Sequence, residues 1–246
     1  MFDPGAMRHG GTAAAARATT LELTRLAEVA ERARPVALAR EHVLPVTDAF
    51  SSLLPDGLRR GTTVAVGGST SLALALVAGP VAAGSWAAAV GVSSLGLAAA
   101  HELGVDLARL VLVADPPPAQ WATVVATLVD GLDVVLVRTT RRVGATDARR
   151  LAARARERGS VLVLLGESSW PEAPDVLLAI TASAWEGLGD GHGHLRARRV
   201  VIEADGRRAH ARHRRAELWL PAAGGGVAVT EPLAEVRPFT PRERVS

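Results

Sequence analysis

This chain of 246 residues contains no cysteine, no lysine and no tyrosine. Without cysteine the chain can form neither a disulfide bond nor a thiolate metal site, which fits a reducing cytosol. Because there is no lysine, arginine carries all of the strong positive charge, and the isoelectric point is high at about 10.9. The absence of lysine also excludes every nucleotide site that depends on a lysine ammonium group.

Long apolar runs are missing as well. The nearest candidate, residues 71–92, is interrupted by Gly79-Pro80 and Gly84-Ser85, whereas a membrane-spanning helix needs about 18 or more consecutive apolar residues. The first residues, MFDPGAMRHGG, lack the apolar core of a signal peptide. We therefore expect no membrane contact and a cytoplasmic location.

Aromatic residues supply only 3% of the chain, although hydrophobic residues supply 48%. The core must then be built from alanine, valine and leucine, and the length suits one main α/β domain with terminal extensions. Positive charge is concentrated in residues 138–158 and 196–215, each with eight arginines and two acidic residues, so that these segments carry +12 and the rest of the chain −9. This segregation indicates a basic face for nucleic acid or an acidic partner, or else ordinary solvated surfaces.

The middle of the chain alternates between short aliphatic runs and helical patterns, which predicts βαβ units and a parallel sheet covered by helices on both faces. Gly79-Pro80 is expected to end or kink the first of these helices. Strands are predicted at 62–66, 86–92, 110–113, 134–137 and 161–165, and helices at 71–78, 95–103, 119–129 and 145–158.

Beyond residue 166 the pattern predicts a C-terminal antiparallel meander. Its strands are expected at 176–183, 200–204, 217–220 and 227–230, with a glycine-rich loop at 185–195. The remaining chain divides into a disordered segment at 1–17, a helix and linker at 18–45, the core at 46–231 and a tail at 232–246. The amphipathic helix from Thr20 to Arg34 is a candidate homotypic surface.

The stretch from Leu53 to Leu76 has the order of a phosphate-binding motif, with a strand, a glycine-rich turn and a helix. The turn reads Gly67-Gly68-Ser69-Thr70-Ser71 and continues into Leu72, so the motif's lysine is absent. Two hypotheses follow. The turn is a joint kept for strand-to-helix packing, or its backbone amides hold a phosphate with help from Arg59 or Arg60, which leaves weak ATP binding open.

From residue 46 to residue 229 the order of the segments resembles that of RecA-type ATPase cores. LPDGLRRGTTVAVGG resembles the segment that leads into the phosphate loop of that family, and DGLDVVLVRT resembles the strand that normally ends in a magnesium-linked aspartate. Further resemblances are carried by HELGVDLARLVLV, SVLVLLGE, RARRVVIEAD with Gly206-Arg207-Arg208, and AELWLPAAGGGV. The resemblance implies a RecA-like fold.

The chain departs from the pattern of that family at three points. The phosphate turn lacks its lysine, Arg138 stands where the magnesium-linked aspartate is expected, and residues 91–96 contain no carboxylate where such ATPases keep a catalytic glutamate. The charge clamp, the metal ligand and the base of phosphoryl transfer are thus absent together. We expect a pseudo-ATPase with no catalytic residue and no cofactor.

A RecA-like core without these residues, in an arginine-rich and lysine-free chain, resembles the actinobacterial RecA-homologous accessory protein of the DNA-damage mutasome. That resemblance implies a scaffold in translesion synthesis, with an inactive Y-family polymerase homologue as partner and an error-prone C-family polymerase reached through it. It also implies association with the nucleoid after DNA damage. The alternatives are a divergent DNA-stimulated ATPase and a RecA-derived cell-division inhibitor.

Two groups of residues are candidates for contacts with single-stranded DNA or a protein partner. The first follows two middle strands of the predicted sheet and consists of Arg141, Arg142 and Trp170, where arginine would contact phosphate and tryptophan would stack on a base. The second is a basic hairpin that contains Arg207, Arg208, Arg212, Arg214 and Arg215. His192 and His194 lie among glycines, a setting that does not favour a rigid zinc site, and no metal is predicted.

Overall fold

The computed structural model describes residues 42–67, 69–138, 142–166, 170–189, 192–206 and 213–230. The predicted N-terminal helix, the disordered segment and the C-terminal tail lie outside these ranges. The strands are β1 (Val43–Leu44), β2 (Leu58–Arg59), β3 (Thr63–Gly67), β4 (Ala87–Val90), β5 (Leu110–Val113), β6 (Val134–Arg138), β7 (Val161–Leu165), β8 (Val176–Gly189), β9 (His192–Gly206), β10 (Arg214–Trp219) and β11 (Ala228–Val229). The helices are α1 (Thr70–Ala82), α2 (Leu97–Glu102), α3 (Trp121–Gly131) and α4 (Ala145–Arg158), with 3₁₀ turns at Asp48–Phe50 and Leu107–Arg109.

Within these ranges nine strands form one sheet in the order β11-β10-β9-β8-β3-β7-β6-β4-β5. The strands from β8 to β5 in this order all pair in parallel, whereas β9 pairs antiparallel with both β8 and β10, and β10 antiparallel with β11. The predicted parallel sheet with a C-terminal antiparallel meander is confirmed. β1 and β2 pair separately as a small antiparallel ladder.

Two hydrophobic clusters cover the two faces of the parallel half, as β6 illustrates. Val134 and Leu136 belong to the cluster that contains the buried residues of α1 and α2, whereas Val135 and Val137 belong to the cluster beneath α3 and α4. Successive side chains of a strand point to opposite faces, so a strand that is apolar at every position is buried on both faces. The aliphatic runs in the sequence have this structural cause.

The first helix is longer than predicted. Gly79-Pro80 was expected to end or kink it at Ala78, but α1 continues to Ala82, and the amide of Ala83 donates to the carbonyl of Gly79. Proline removes one helical hydrogen bond, which is tolerable here because Pro80 lies in the last turn. A β-carbon on Gly79 would lie 2.8 Å from the backbone of Val46 and Thr47, so the glycine allows the preceding segment to pack closely.

The predicted loop at 185–195 is wrong, because β8 and β9 run through it as a long hairpin. β3 accompanies β8 only as far as the pair Gly67 and Ala179, and residues 181–188 and 193–196 are exposed. We call residues 181–189 and 192–196 the arm. One glycine of the arm forms a β-bulge and not a loop. Gly187 has φ +104°, and a β-carbon there would lie 2.2 Å from the carbonyl oxygen of His194.

A buried carboxylate joins the amino-terminal ends of four parallel strands. Asp133, which is 4% exposed, accepts from Arg60 Nη1 at 2.7 Å and from the amide of Trp86 at 3.1 Å. The backbone carbonyl of Asp133 accepts from the amide of Val161 at 2.7 Å and from Ser160 Oγ at 3.3 Å. The residues bonded to Asp133 precede or begin β3, β4 and β7, and Asp133 itself precedes β6, so this residue sets the relative positions of all four strands.

A second acidic residue connects the helices of one face. Asp130 near the end of α3 accepts from Arg154 and from Arg158 of α4. The hydrogen bonds that Arg154 donates to the Asp130 carboxylate raise the pKa of Arg154 above its ordinary value. The pair is partly exposed, so we expect it to orient the two helices more than to stabilise them. Among the described residues, every helix is too short or too polar to cross a membrane.

We expect Asp133→Ala to lower the free energy of unfolding by about 2–4 kcal/mol, because it leaves the amide of Trp86 without its acceptor and Arg60 without its counter-charge. Urea denaturation monitored by circular dichroism measures this difference. Glu172→Ala is the control, since Glu172 forms a surface pair with Arg149 at 3.9 Å, and its loss should change stability by only about 0.5 kcal/mol. Equal effects of the two substitutions would contradict the role given to Asp133.

Candidate functional site

The glycine-rich turn lies at the carboxyl end of β3, which is an interior strand of the sheet, and directly precedes α1. Ser69 is the N-cap of this helix, and its hydroxyl accepts from the amide of Leu72 at 3.2 Å and lies 3.0 Å from the hydroxyl of Ser71. An N-cap serine satisfies one of the amides that a bound phosphate would otherwise contact. Gly67 ends β3, and Gly68 lies outside the described residues. The helix start is therefore capped by the chain's own side chain.

A guanidinium group lies beside the turn. Arg138 ends β6, and its Nη2 donates to Thr70 Oγ1 at 2.6 Å. Thr70 is the first residue of α1, so the end of β6 faces the turn that precedes this helix. The residue found there is a cation that bonds to a neutral hydroxyl, rather than a carboxylate that could hold Mg²⁺.

The end of β4 approaches the same point of the sheet. Gly91 follows β4 with φ +71°, and a β-carbon on this residue would lie 2.3 Å from the carbonyl oxygen of Arg138. The segment from Gly91 to Gly96 brings only apolar and hydroxyl side chains to this edge. The turn, the end of β6 and the segment after β4 are thus close in the fold, and none of them carries a lysine or a carboxylate.

The predicted DNA-contacting residues after β6 and β7 are located at the same carboxyl edge. Arg142 is exposed just before α4, and Trp170 is partly buried, packed against the hydrophobic cluster beneath α3 and α4. Packing of this kind leaves only part of the indole of Trp170 for stacking on a base. Arg141 lies outside the described residues.

The basic hairpin is separate from the phosphate turn. Arg214 and Arg215 begin β10, and Arg215 lies opposite Glu203 of β9 in the strand register. Three strand spacings separate Arg215 from Gly67 along this register, a distance of roughly 14 Å. Arg207, Arg208 and Arg212 lie outside the described residues, so the structure describes the hairpin only at its ends.

Several arginines of the two basic segments are paired with carboxylates. Such pairs reduce the positive potential that a nucleic-acid surface needs. The pairs are Arg149 with Glu172, Arg154 and Arg158 with Asp130, and Arg199 with Glu217. The segregation of charge along the sequence therefore overstates the charge of the folded surface.

Sequence reasoning missed the aromatic group on the arm. The Arg198 guanidinium lies 5.8 Å from the centre of the Trp185 ring and donates to Ser183 Oγ at 3.1 Å, and Trp185 is 47% exposed. The signal that could have revealed the strand is the alternation of polar and apolar small residues at positions 181–184, directly before Trp185. In the described part of the chain, no three histidine or acidic side chains lie close enough together to hold a metal ion.

A family model and a relative each match this chain over about half of its length. The model of the MT3502 N-terminal domain family matches residues 52–172, a range that contains β3 to β7 and the four helices. The uncharacterized protein Rv3395c of Mycobacterium tuberculosis (strain ATCC 25618 / H37Rv) is 41% identical over 141 residues, which is 56% of this chain and 68% of the relative. The identity is high enough to indicate a common fold.

We expect Gly91→Ala to lower the free energy of unfolding by about 3 kcal/mol or more, because the new methyl group would overlap the carbonyl oxygen of Arg138 in addition to the cost of a positive φ. Gly84→Ala is the matched control. Gly84 also has a positive φ, at +97°, but the space around it is open, so only the backbone cost of about 1–2 kcal/mol remains. Chemical denaturation measures both, and similar losses would show that the two strand ends do not approach so closely.

Proposed function

We propose that this chain, which belongs to the same family as the mycobacterial protein Rv3395c, is a non-catalytic RecA-like scaffold in translesion DNA synthesis and damage-induced mutagenesis. The single observation that carries the proposal is the hydrogen bond between Arg138 and Thr70. It brings the end of β6 to the phosphate turn, as the RecA resemblance requires. Arg138 is positively charged, whereas a RecA-type ATPase has its negatively charged magnesium ligand at the corresponding strand end.

The RecA-like assignment is supported by the arrangement of the parallel half. The turn after β3 lies inside the sheet and not at its edge, and the ends of β4 and β6 meet beside it through Gly91 and Arg138. In a RecA-type ATPase these are the places of the phosphate loop, the catalytic glutamate and the magnesium-linked aspartate. The chain thus keeps the positions of the three groups and has lost their chemistry.

The proposed scaffold would hold proteins rather than turn over a nucleotide. Its partner would be an inactive Y-family polymerase homologue, which in turn recruits an error-prone C-family polymerase to the lesion. Contacts with single-stranded DNA and self-association through the segment from Thr20 to Arg34 belong to the same proposal. The C-terminal tail and the basic hairpin would supply partner contacts, at the nucleoid of a damaged cell.

One observation favours a second candidate. The Arg138 guanidinium brings positive charge to the turn, and a cation there is what a divergent ATPase would need in place of the missing lysine. Two features weigh against it. Ser69 already caps the helix, and no carboxylate stands at Gly91 to Gly96 to activate water. A RecA-derived cell-division inhibitor would share these features but would bind a division component.

We expect isothermal titration calorimetry to give no binding heat for ATP with Mg²⁺ at millimolar concentration, because the turn offers neither a lysine nor a metal ligand. Unfolding temperature should likewise be unchanged by the nucleotide. A lysine-containing RecA-type ATPase titrated under the same conditions is the positive control. Binding that disappears in Arg138→Gln would favour the divergent ATPase.

We expect deletion of the gene to abolish damage-induced mutagenesis, with full recovery from the wild-type chain. The Thr70→Val variant should restore it equally well, because a scaffold does not use the hydroxyl that a magnesium-bound nucleotide would need. Mutation frequency after ultraviolet irradiation is the measurement, together with co-purification of the polymerase homologue. An unchanged mutation frequency in the deletion strain would contradict the proposal.

A further inference from the structure

A second recess opens at the carboxyl edge of the sheet, on the face opposite α1. It is a cleft of about 530 Å³, a volume within the range of small-molecule sites. The segment after β5 and the starts of α3 and α4 form its walls. The residues that matter for its chemistry are Asp115, Pro116, Pro118, Trp121, Arg142 and Asp147.

The topology of the sheet explains why a cleft forms here. β4 and β6 are neighbours in the sheet, but the chain leaves β4 towards α2 on one face and leaves β6 towards α4 on the other. Where two adjacent parallel strands send their connections to opposite faces, a crevice opens outside their carboxyl ends, and ligands of α/β proteins bind in such crevices. Gly91 and Arg138 line it at these two strand ends.

Trp121 forms one wall of the cleft and begins α3. Its Nε1 is closed off from solvent, so this N–H group does not open into the cleft. The backbone amide of Trp121 donates to the carbonyl of Pro117 at 3.0 Å. The charged side chains of the lining are therefore the groups available to a ligand.

The other polar groups of the cleft carry charges of both signs. Arg142 supplies a cation, and Asp115 and Asp147 supply carboxylates. Asp147 lies in the first turn of α4, near Gly144, and it offsets the positive end of that helix. Pro116 and Pro118 add an apolar surface. A bare anion would meet two carboxylates here, whereas a molecule with an anionic end and donor groups would match both signs.

We propose that this cleft binds a small organic anion, a phosphate or carboxylate, that also carries hydroxyl or amino groups. The anionic end is bound by Arg142, and the donor groups by Asp115 and Asp147. The site is distinct from the capped turn at Ser69. It does not depend on the proposed role in translesion synthesis, because it follows from the lining of the cleft alone.

Ribose 5-phosphate is a suitable probe, since it joins one phosphate to several hydroxyl groups. Calorimetric titration of the full chain should show binding at millimolar concentration or below. Arg142→Gln should weaken it about tenfold, because a charge-assisted hydrogen bond is lost. Arg150→Gln, on the exposed side of α4, is the matched control and should bind as the wild type does.

Three outcomes would overturn the proposal. They are absence of binding to ribose 5-phosphate, equal binding by Arg142→Gln and the wild type, and equal affinity for ribose 5-phosphate and inorganic phosphate. Inorganic phosphate should bind more weakly, because it offers fewer hydroxyl groups to the two carboxylates. Arg142 is exposed, so its substitution tests the site without removing a buried contact.

Discussion

The buried carboxylate of Asp133 is the interaction on which the parallel half of this fold depends. Parallel strands joined by helices have no tight turns to set their register, so something else must align their starting points. Asp133 does this through Arg60, the amide of Trp86 and the backbone of Val161. The carboxylate is buried and its hydrogen bonds are in place, while its partner Arg60 stays partly exposed, so the ion pair can specify the structure without burying a second charge.

Alignment at the amino edge leaves the carboxyl edge free to change. The hydrogen bonds of Asp133 all lie where the strands begin, whereas the turn at Ser69, the end of β6 and the segment after β4 lie where they end. Substitutions at that edge would leave the anchor undisturbed. This division allows the side chains at the carboxyl ends of the strands to vary while the parallel half keeps its geometry.

The parallel half could be predicted from the sequence because its signals are local. Helix α4 and strand β7 were predicted with the bounds that the structure has, since aliphatic runs and helical periodicity do not depend on distant residues. The arm could not be predicted in this way. Gly187 reads as a loop residue, and only the approach of the His194 carbonyl oxygen makes it a bulge in a strand. Pro80 misled the prediction for a similar reason, because its position relative to the helix end decides its effect.

The candidate sites, too, could be predicted from the sequence only as far as their signals are local. The missing lysine, the arginine at 138 and the lack of a carboxylate after β4 can all be seen in the sequence. That Arg138 bonds to Thr70, 68 residues earlier in the chain, cannot, because only the sheet order brings β6 within reach of α1. The cleft is still harder to foresee, since Asp115 and Arg142 follow different strands, β5 and β6, and carry no motif. The same sheet order that brings Arg138 to Thr70 opens a recess on the opposite face, where the connections of β4 and β6 diverge.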